Sequence, residues 1–150
     1  IYLPQIYQVS TANPMTVQEF YNKTVASPML YEDETISNSM KTCQIIPSDT
    51  MVVGVLDPKE IDYYRFDVSA PSKVQFTAMH STDNLSDIYF TIMDENEKMI
   101  EVALLEEVEG TQMSVIDSLL PEGTYFITIF PKKDALSSAA DYVFMLSYTN

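Results

Sequence analysis

Residues 60–68, EIDYYRFDV, decide the fold. Tyr64, Phe66 and Val68 point one way, and Tyr63, Arg65 and Asp67 point the other. A period of two is the mark of a strand with one dry face and one wet face. The same reading extends outward on both sides. Residues 73–79 place Val74, Phe76 and Ala78 inward, and residues 87–93 do so with Ile88, Phe90 and Ile92. Upstream, residues 50–56 (TMVVGVL) form a β-branched run with Gly54 inside it, which predicts a bulge or a close backbone approach. Downstream, residues 99–105 and 112–119 are weaker strands, and 123–130 (GTYFITIF) and 141–148 (DYVFMLSY) close the chain. Residues 123–130 are apolar on both faces apart from Thr124 and Thr128, which predicts a central position in a sheet. Pro47, Pro58, Pro71, Pro121 and Pro131 fall between these runs, where turns belong. About eight short strands separated by turns predict an antiparallel sandwich or barrel rather than βαβ units. Residues 94–98 read as a tight turn. Residues 104–110 and 134–140 read as longer connections, the second with a helical turn.

Composition sets the outer limits. At 150 residues and 46% hydrophobic, the chain suits one domain with a full core. It carries 8 Lys and Arg against 22 Asp and Glu, a formal net charge of -14. Phosphate backbones and anionic lipid surfaces repel such a chain, so nucleic acid is not an expected partner. No apolar run approaches 18 residues, so no transmembrane helix is expected. Cys43 is the only cysteine, which excludes an intrachain disulfide. It reads as a buried inert thiol, or as half of an intermolecular disulfide. His80 is the only histidine and reads as a solvated residue just past a strand. Ser81 and Asp83 beside it do not make a triad, because a triad is a matter of three-dimensional geometry.

The first thirty residues differ from the rest and read as an N-terminal extension or linker, with the main domain over 31–150. Residues 16–26 (TVQEFYNKTVA) fit a short helix, with Thr16 as N-cap and Glu19 three residues on in the manner of a capping box. Val17, Phe20, Tyr21 and Thr24 would share one face, and Pro28 would end it. An extended arm ordered only by contacts fits equally well. A chain beginning at Ile1 is expected of a mature product that has lost a secretory signal, or of a cloned fragment.

Four pieces in order resemble the bacterial pre-peptidase C-terminal domain family, to which the collagen-binding domains of clostridial collagenases are related. They are the acidic lead-in at 31–39 (YEDETISNS) with 40–46 after it, VGVL at 53–56 leading into EIDYYRFDV, SDIYFTIMDENEK at 86–98, and LPEGTYFITI at 120–129. The closing strand at 141–148 is similar as well. The resemblance covers roughly residues 31–149 and implies a jelly-roll-like β-sandwich appended to exported proteins. The chain departs from the family pattern at Ser37-Asn38 in the lead-in, at Glu60 in place of an aspartate, and at Glu97 in place of a turn glycine. It also has no Trp.

Some relatives bind Ca²⁺ between the lead-in and the strand-edge aspartate. The resemblance therefore implies Glu32, Glu34, Asn38, Glu60 and Asp62 as candidate calcium ligands, with Asp33 beside them. Calcium needs six to eight oxygens, several of them carboxylate. The other reading is a solvated acidic surface. Tyr63 and Arg65 face outward and are a candidate ligand-binding pair, since Tyr and Arg are enriched at binding hot spots; cross-strand packing and an ion pair are the alternative. Tyr125, Tyr142 and Tyr148 fit strand packing with their hydroxyls at the rim. Glu106, Glu107, Glu109, Asp117 and Glu122 lie near turns with no Trp sugar platform, so glycoside hydrolysis is not expected.

The leading expectation is thus a non-catalytic, secreted or cell-surface bacterial accessory domain. It would contact an extracellular protein or polysaccharide, or support secretion or maturation of a parent or partner protein. The alternative is a structural or regulatory partner subunit, such as a pilot, inhibitor or assembly protein, docking through its N-terminal segment.

Overall fold

The computed structural model describes residues 28–82, 84–108 and 111–149. The extension expected over 1–30, with its helix at 16–26, lies outside the described residues except for its last three positions.

Among the described residues, eleven strands make two packed sheets. In chain order they are β1 (Met29–Tyr31), β2 (Gln44–Ile45), β3 (Thr50–Leu56), β4 (Asp62–Val68), β5 (Ser72–His80), β6 (Ile88–Asp94), β7 (Met99–Val102), β8 (Leu104–Val108), β9 (Thr111–Leu120), β10 (Gly123–Pro131) and β11 (Ala140–Ser147). One sheet has six strands in the order β1-β3-β11-β5-β9-β8, and the other has five in the order β2-β4-β10-β6-β7. β10 lies at the centre of its sheet, as its two-sided apolar sequence requires.

The β-sandwich is as expected, but it is not wholly antiparallel and has more than eight strands. β1 runs parallel to β3, and β2 runs parallel to β4. Both are too short, at three and two residues, to display a period. The expected strand at 99–105 is divided at Ala103. There the chain leaves the five-stranded sheet and enters the six-stranded one, with the Ala103 N–H donating to the Phe90 carbonyl at 2.9 Å. What read as a connection from 104 is therefore β8, paired to β9. The connection after β10 contains no helical turn. Asp134 has a φ of 59°, and the Ala135 N–H closes a turn onto the Lys132 carbonyl.

Alternation predicts the core correctly. Tyr64, Phe66, Val74, Phe76, Ala78, Ile88, Phe90 and Ile92 are all buried between the sheets. Phe76 packs against Phe90 and Phe144 with ring centroids 5.6 and 5.2 Å apart. Burying one such side chain contributes roughly 1.5–3 kcal/mol relative to leaving it in water. Gly54 serves a close approach rather than a bulge. β3 pairs with β11 in unbroken register, and a Cβ at Gly54 would overlap the Tyr142 ring. The irregularity in the sheets lies elsewhere, between Ile92 and Met93 in the pairing of β6 with β7.

The turn at 94–98 forms as read. Asp94 Oδ1 accepts the N–H groups of Asn96 and Lys98, both at 2.9 Å. Glu97 has a φ of 62°, in the left-handed region that favours glycine.

Candidate functional site

The lead-in between β1 and β2 folds against the start of β4 and places carboxylates together at one end of the core. Glu32 follows β1 directly. Its Oε1 accepts the Val55 N–H at 2.8 Å, and its Oε2 accepts the Ser37 hydroxyl at 2.7 Å. The Tyr63 N–H donates to the Ser37 carbonyl at 2.7 Å, which holds the lead-in against β4. Asn38 is oriented so that its carboxamide nitrogen donates to Asp62 Oδ1 and to the Ile61 carbonyl, both at 3.1 Å.

Asp62 is the first residue of β4 and is fully buried. Its Oδ2 accepts the Tyr142 hydroxyl at 2.8 Å. The Tyr64 and Tyr142 hydroxyls lie 2.6 Å apart. Because Tyr142 donates to Asp62, it accepts from Tyr64, and a relay runs Tyr64 to Tyr142 to Asp62. The Tyr142 hydroxyl is therefore interior, which corrects the expectation of a rim position. Tyr125 and Tyr148 donate to the carbonyls of Pro121 and Ile46.

Electrostatics follow from burial. Desolvation pushes the Asp62 carboxyl up to about 8, with the charges of Glu32 and Glu60 adding to it and the Tyr142 hydrogen bond opposing it. At neutral pH Asp62 is mainly protonated and can share that proton with Glu32. Glu60 is raised as well, first by desolvation, then by its hydrogen bond with Asp57 and the charges of Asp57, Glu32 and Glu34. Burial also drives the Tyr64 and Tyr142 hydroxyls far above their ordinary range, so both remain neutral donors.

The sequence-level candidates thus separate. Glu32, Asn38 and Asp62 meet. Glu60 adjoins them, and Glu34 acts on Glu60 only through its charge. Asp33 turns away, its Oδ1 accepting from the Thr35 N–H and hydroxyl, which hold its carboxyl below the ordinary range. Ser37, Tyr64 and Tyr142 complete the cluster and were not anticipated. The sequence signal for Tyr142 was Gly54, a missing side chain in an otherwise β-branched run. Glu32 already spends both oxygens on the chain, and Asp62 accepts from Tyr142 and Asn38. Among the described residues no three His, Cys, Asp or Glu side chains are grouped to hold a metal ion. The carboxyl oxygens of Glu32 and Asp62 are thus engaged by donors of the chain itself.

A second region is the outer face of the five-stranded sheet. The pairings align Ile45, Arg65, Phe126, Met93 and Met99 in one row across it. A parallel row runs Tyr63, Thr128, Thr91 and Val102. Ile45 is 58% exposed at the edge. Arg65 contacts Asp67 on its own strand at 3.1 Å, and Asp67 also accepts the Thr124 hydroxyl at 2.8 Å. Tyr63 and Arg65 therefore share one partly exposed face. His80 lies apart from it, whereas Cys43 adjoins Tyr63 and Arg65. His80 closes β5 instead of following it, 6.0 Å from the Phe90 ring and within 2.7 Å of the Thr82 hydroxyl. Cys43 is half-buried and free, its thiol pushed up by desolvation.

Fold and site together define a class: a two-sheet β-sandwich with parallel lead strands clipped to its edge. Among solved structures the chain is similar to the pre-peptidase C-terminal domain of a collagenase from Bacillus anthracis, with a TM-score of 0.58 at 11% identity over 70% of this chain and 94% of that one. It is also similar to PliG from Aeromonas hydrophila, a periplasmic inhibitor of g-type lysozyme, with a TM-score of 0.51 at 10% identity over 82% of this chain and 99% of that one. No protein-family model matches the chain, and no curated protein matches it. At such identities the likeness is one of fold, and at that level it agrees with the resemblance read from the sequence.

Proposed function

We propose that the chain is an exported, non-catalytic binding domain that engages a protein partner through the outer face of its five-stranded sheet. The carrying observation is the exposed Ile45 beside the partly exposed Arg65 and Tyr63, on a row whose inner members Phe126 and Met93 are buried. It joins an exposed aliphatic edge, a cation and the Tyr63 ring on one rigid surface. Interfaces draw their energy from such anchors. The rigidity comes from β10, which holds β4 and β6 on either side in continuous register. A protein fits this face better than a polysaccharide, because the chain has no Trp to serve as a sugar platform. The two similar solved structures, an appended domain and an inhibitor, support a binding role by analogy of fold.

The test is an array of extracellular proteins, including g-type lysozymes, beside an array of glycans, both probed with the full chain. Binding to a protein that weakens about tenfold or more in Tyr63→Ala and Arg65→Ala, as loss of a hot spot does, supports the reading. Binding to glycans alone would replace the protein partner with a polymer. Silence on both arrays would sink the binding role altogether.

A further inference from the structure

At one end of the sandwich two connections meet. β10 and β6 are antiparallel, and their register sets Pro131, the last residue of β10, opposite Ile88, the first of β6. The connection into β6 and the connection from β10 to β11 are therefore neighbours. The Lys132 N–H donates to the Asp87 carbonyl at 2.8 Å and ties one to the other. On the far side the Ser81 N–H donates to the Asp141 carbonyl, and the Asp141 N–H donates to the Ser81 hydroxyl oxygen, both at 3.0 Å. Between these ties residues 137–140 read SSAA. No side chain in that run extends past its γ atom, so the run cannot fill the space between the connections. Leu136, the large residue before it, packs against the core. What is left is a cavity of about 280 Å³, lined by Ser81, Thr82, Asp87, Leu136, Ser137 and Ser138, with alanines completing the wall.

We propose that this cavity binds a primary ammonium group on an alkyl stem, the chemistry shared by a lysine side chain and a small free amine. Asp87 is the one charged residue in the lining. It is partly buried, and among the described residues no ion pair or side-chain hydrogen bond engages its carboxyl. Lys132 and Lys133 are exposed on the adjoining connection, and neither pairs with it. An ammonium carries three donors and no acceptor, so a carboxylate and hydroxyl oxygens satisfy it fully. Leu136 and the alanines offer apolar surface to the stem, as long cationic side chains require. An anion would meet both Asp87 and a net charge of -14. A guanidinium seeks a planar, two-pronged acceptor, which scattered hydroxyls do not make. A sugar would find hydroxyls but no aromatic ring in the lining to stack on. Pockets for drug-sized ligands begin at about 300 Å³, so the cavity suits one side chain or one small amine. Tyr63 and Arg65 are not among the lining residues, so the two sites are tested separately.

The full chain titrated with n-butylammonium, and followed by backbone amide NMR at constant ionic strength and neutral pH, supplies the test. Saturating shifts are expected at Ser81, Thr82, Asp87, Ser137 and Ser138, while n-butanol and butyrate at the same concentrations give none. Asp87→Asn keeps the backbone tie to Lys132, yet its affinity for n-butylammonium should fall about tenfold or more, as loss of a charge-assisted bond does. Nα-acetyl-lysine amide separates the two sources. Binding at least as tight as n-butylammonium supports a lysine of a partner protein, and weaker binding supports a free amine. Equal shifts with n-butanol would overturn the proposal, because the carboxyl would then play no part. Shifts spread as strongly over Asp33, Glu34 and Glu95 would overturn it too, as a general effect of cations on an acidic surface. So would an Asp87→Asn variant that binds as well as the parent, or the absence of any shift at the cavity.

Discussion

The core has two ends built on different physics. At one, Phe76, Phe90 and Phe144 meet ring to ring within 5.2–5.6 Å, and their packing depends on volume alone. At the other, Tyr64 and Tyr142 carry hydroxyls to a buried carboxyl that Glu32 and Asn38 approach from the lead-in. Tyr64 and Tyr142 belong to both, since their rings also pack on Phe144 at 5.3 and 6.3 Å. The difference teaches where the fold should respond to pH and where it should not. The dry end resists any loss of atoms at every pH. The polar end depends on a proton.

The largest effect is expected at the dry end. Phe144→Ala should destabilise by about 3–5 kcal/mol, through lost transfer energy and the cavity left behind. Urea melts should show nearly the same loss at pH 5 and pH 9. Tyr142→Phe should cost less, about 1–3 kcal/mol, by leaving Asp62 Oδ2 and the Tyr64 hydroxyl without their shared partner. It should also sharpen the pH response, because the Tyr142 hydrogen bond is what restrains the rise of the Asp62 carboxyl.

Asp62 titrates near 8 in the fold against 3.8 for the ordinary carboxyl. Its contribution to stability is therefore fully present below the ordinary value and is lost progressively as pH rises through about 8. Urea midpoints measured from pH 5 to pH 9 should fall, and Asp62→Asn, which has no proton to lose, should flatten that fall. An unchanged slope in the variant would remove Asp62 as its cause. The smallest stabilising effect lies outside both ends. Glu97→Gly, at a φ of 62°, should raise stability by about 1 kcal/mol by relieving left-handed strain. Calcium should do less still. With Glu32 and Asp62 satisfied by the chain, melting midpoints in millimolar calcium and in chelator should coincide at pH 7. A rise of several degrees would show the cluster reorganising around the ion.

Most of the fold was legible where strands are long enough to show a period. β4, β5, β6, β10 and β11 each place alternate residues in the core, and the sequence carries that pattern directly. β1 and β2 were not legible, because pairing along a neighbour's edge, not their own few residues, makes them strands. The corner at Ala103 was hidden for a related reason: one alanine between two apolar runs does not announce a change of sheet. The acidic members of the site were visible as a group in the lead-in. Their partner Tyr142 was not, being 80 residues from Asp62. Proximity across a sandwich is set by register between sheets, and local pattern does not contain it. The relay could be built only once β11 lay beside β3.

The corner at Ala103 carries one more consequence. A sandwich normally offers four open edges, each a template on which another chain can add a strand and begin an aggregate. Here the edges are three, two, four and five residues long. Two of them, β7 and β8, are successive pieces of one strand folded around the side of the molecule, separated by a single residue. A neighbouring chain would find only a few consecutive open backbone groups before the edge turned away. Such brevity should limit strand addition between copies, even at a pH low enough to quench much of the negative charge.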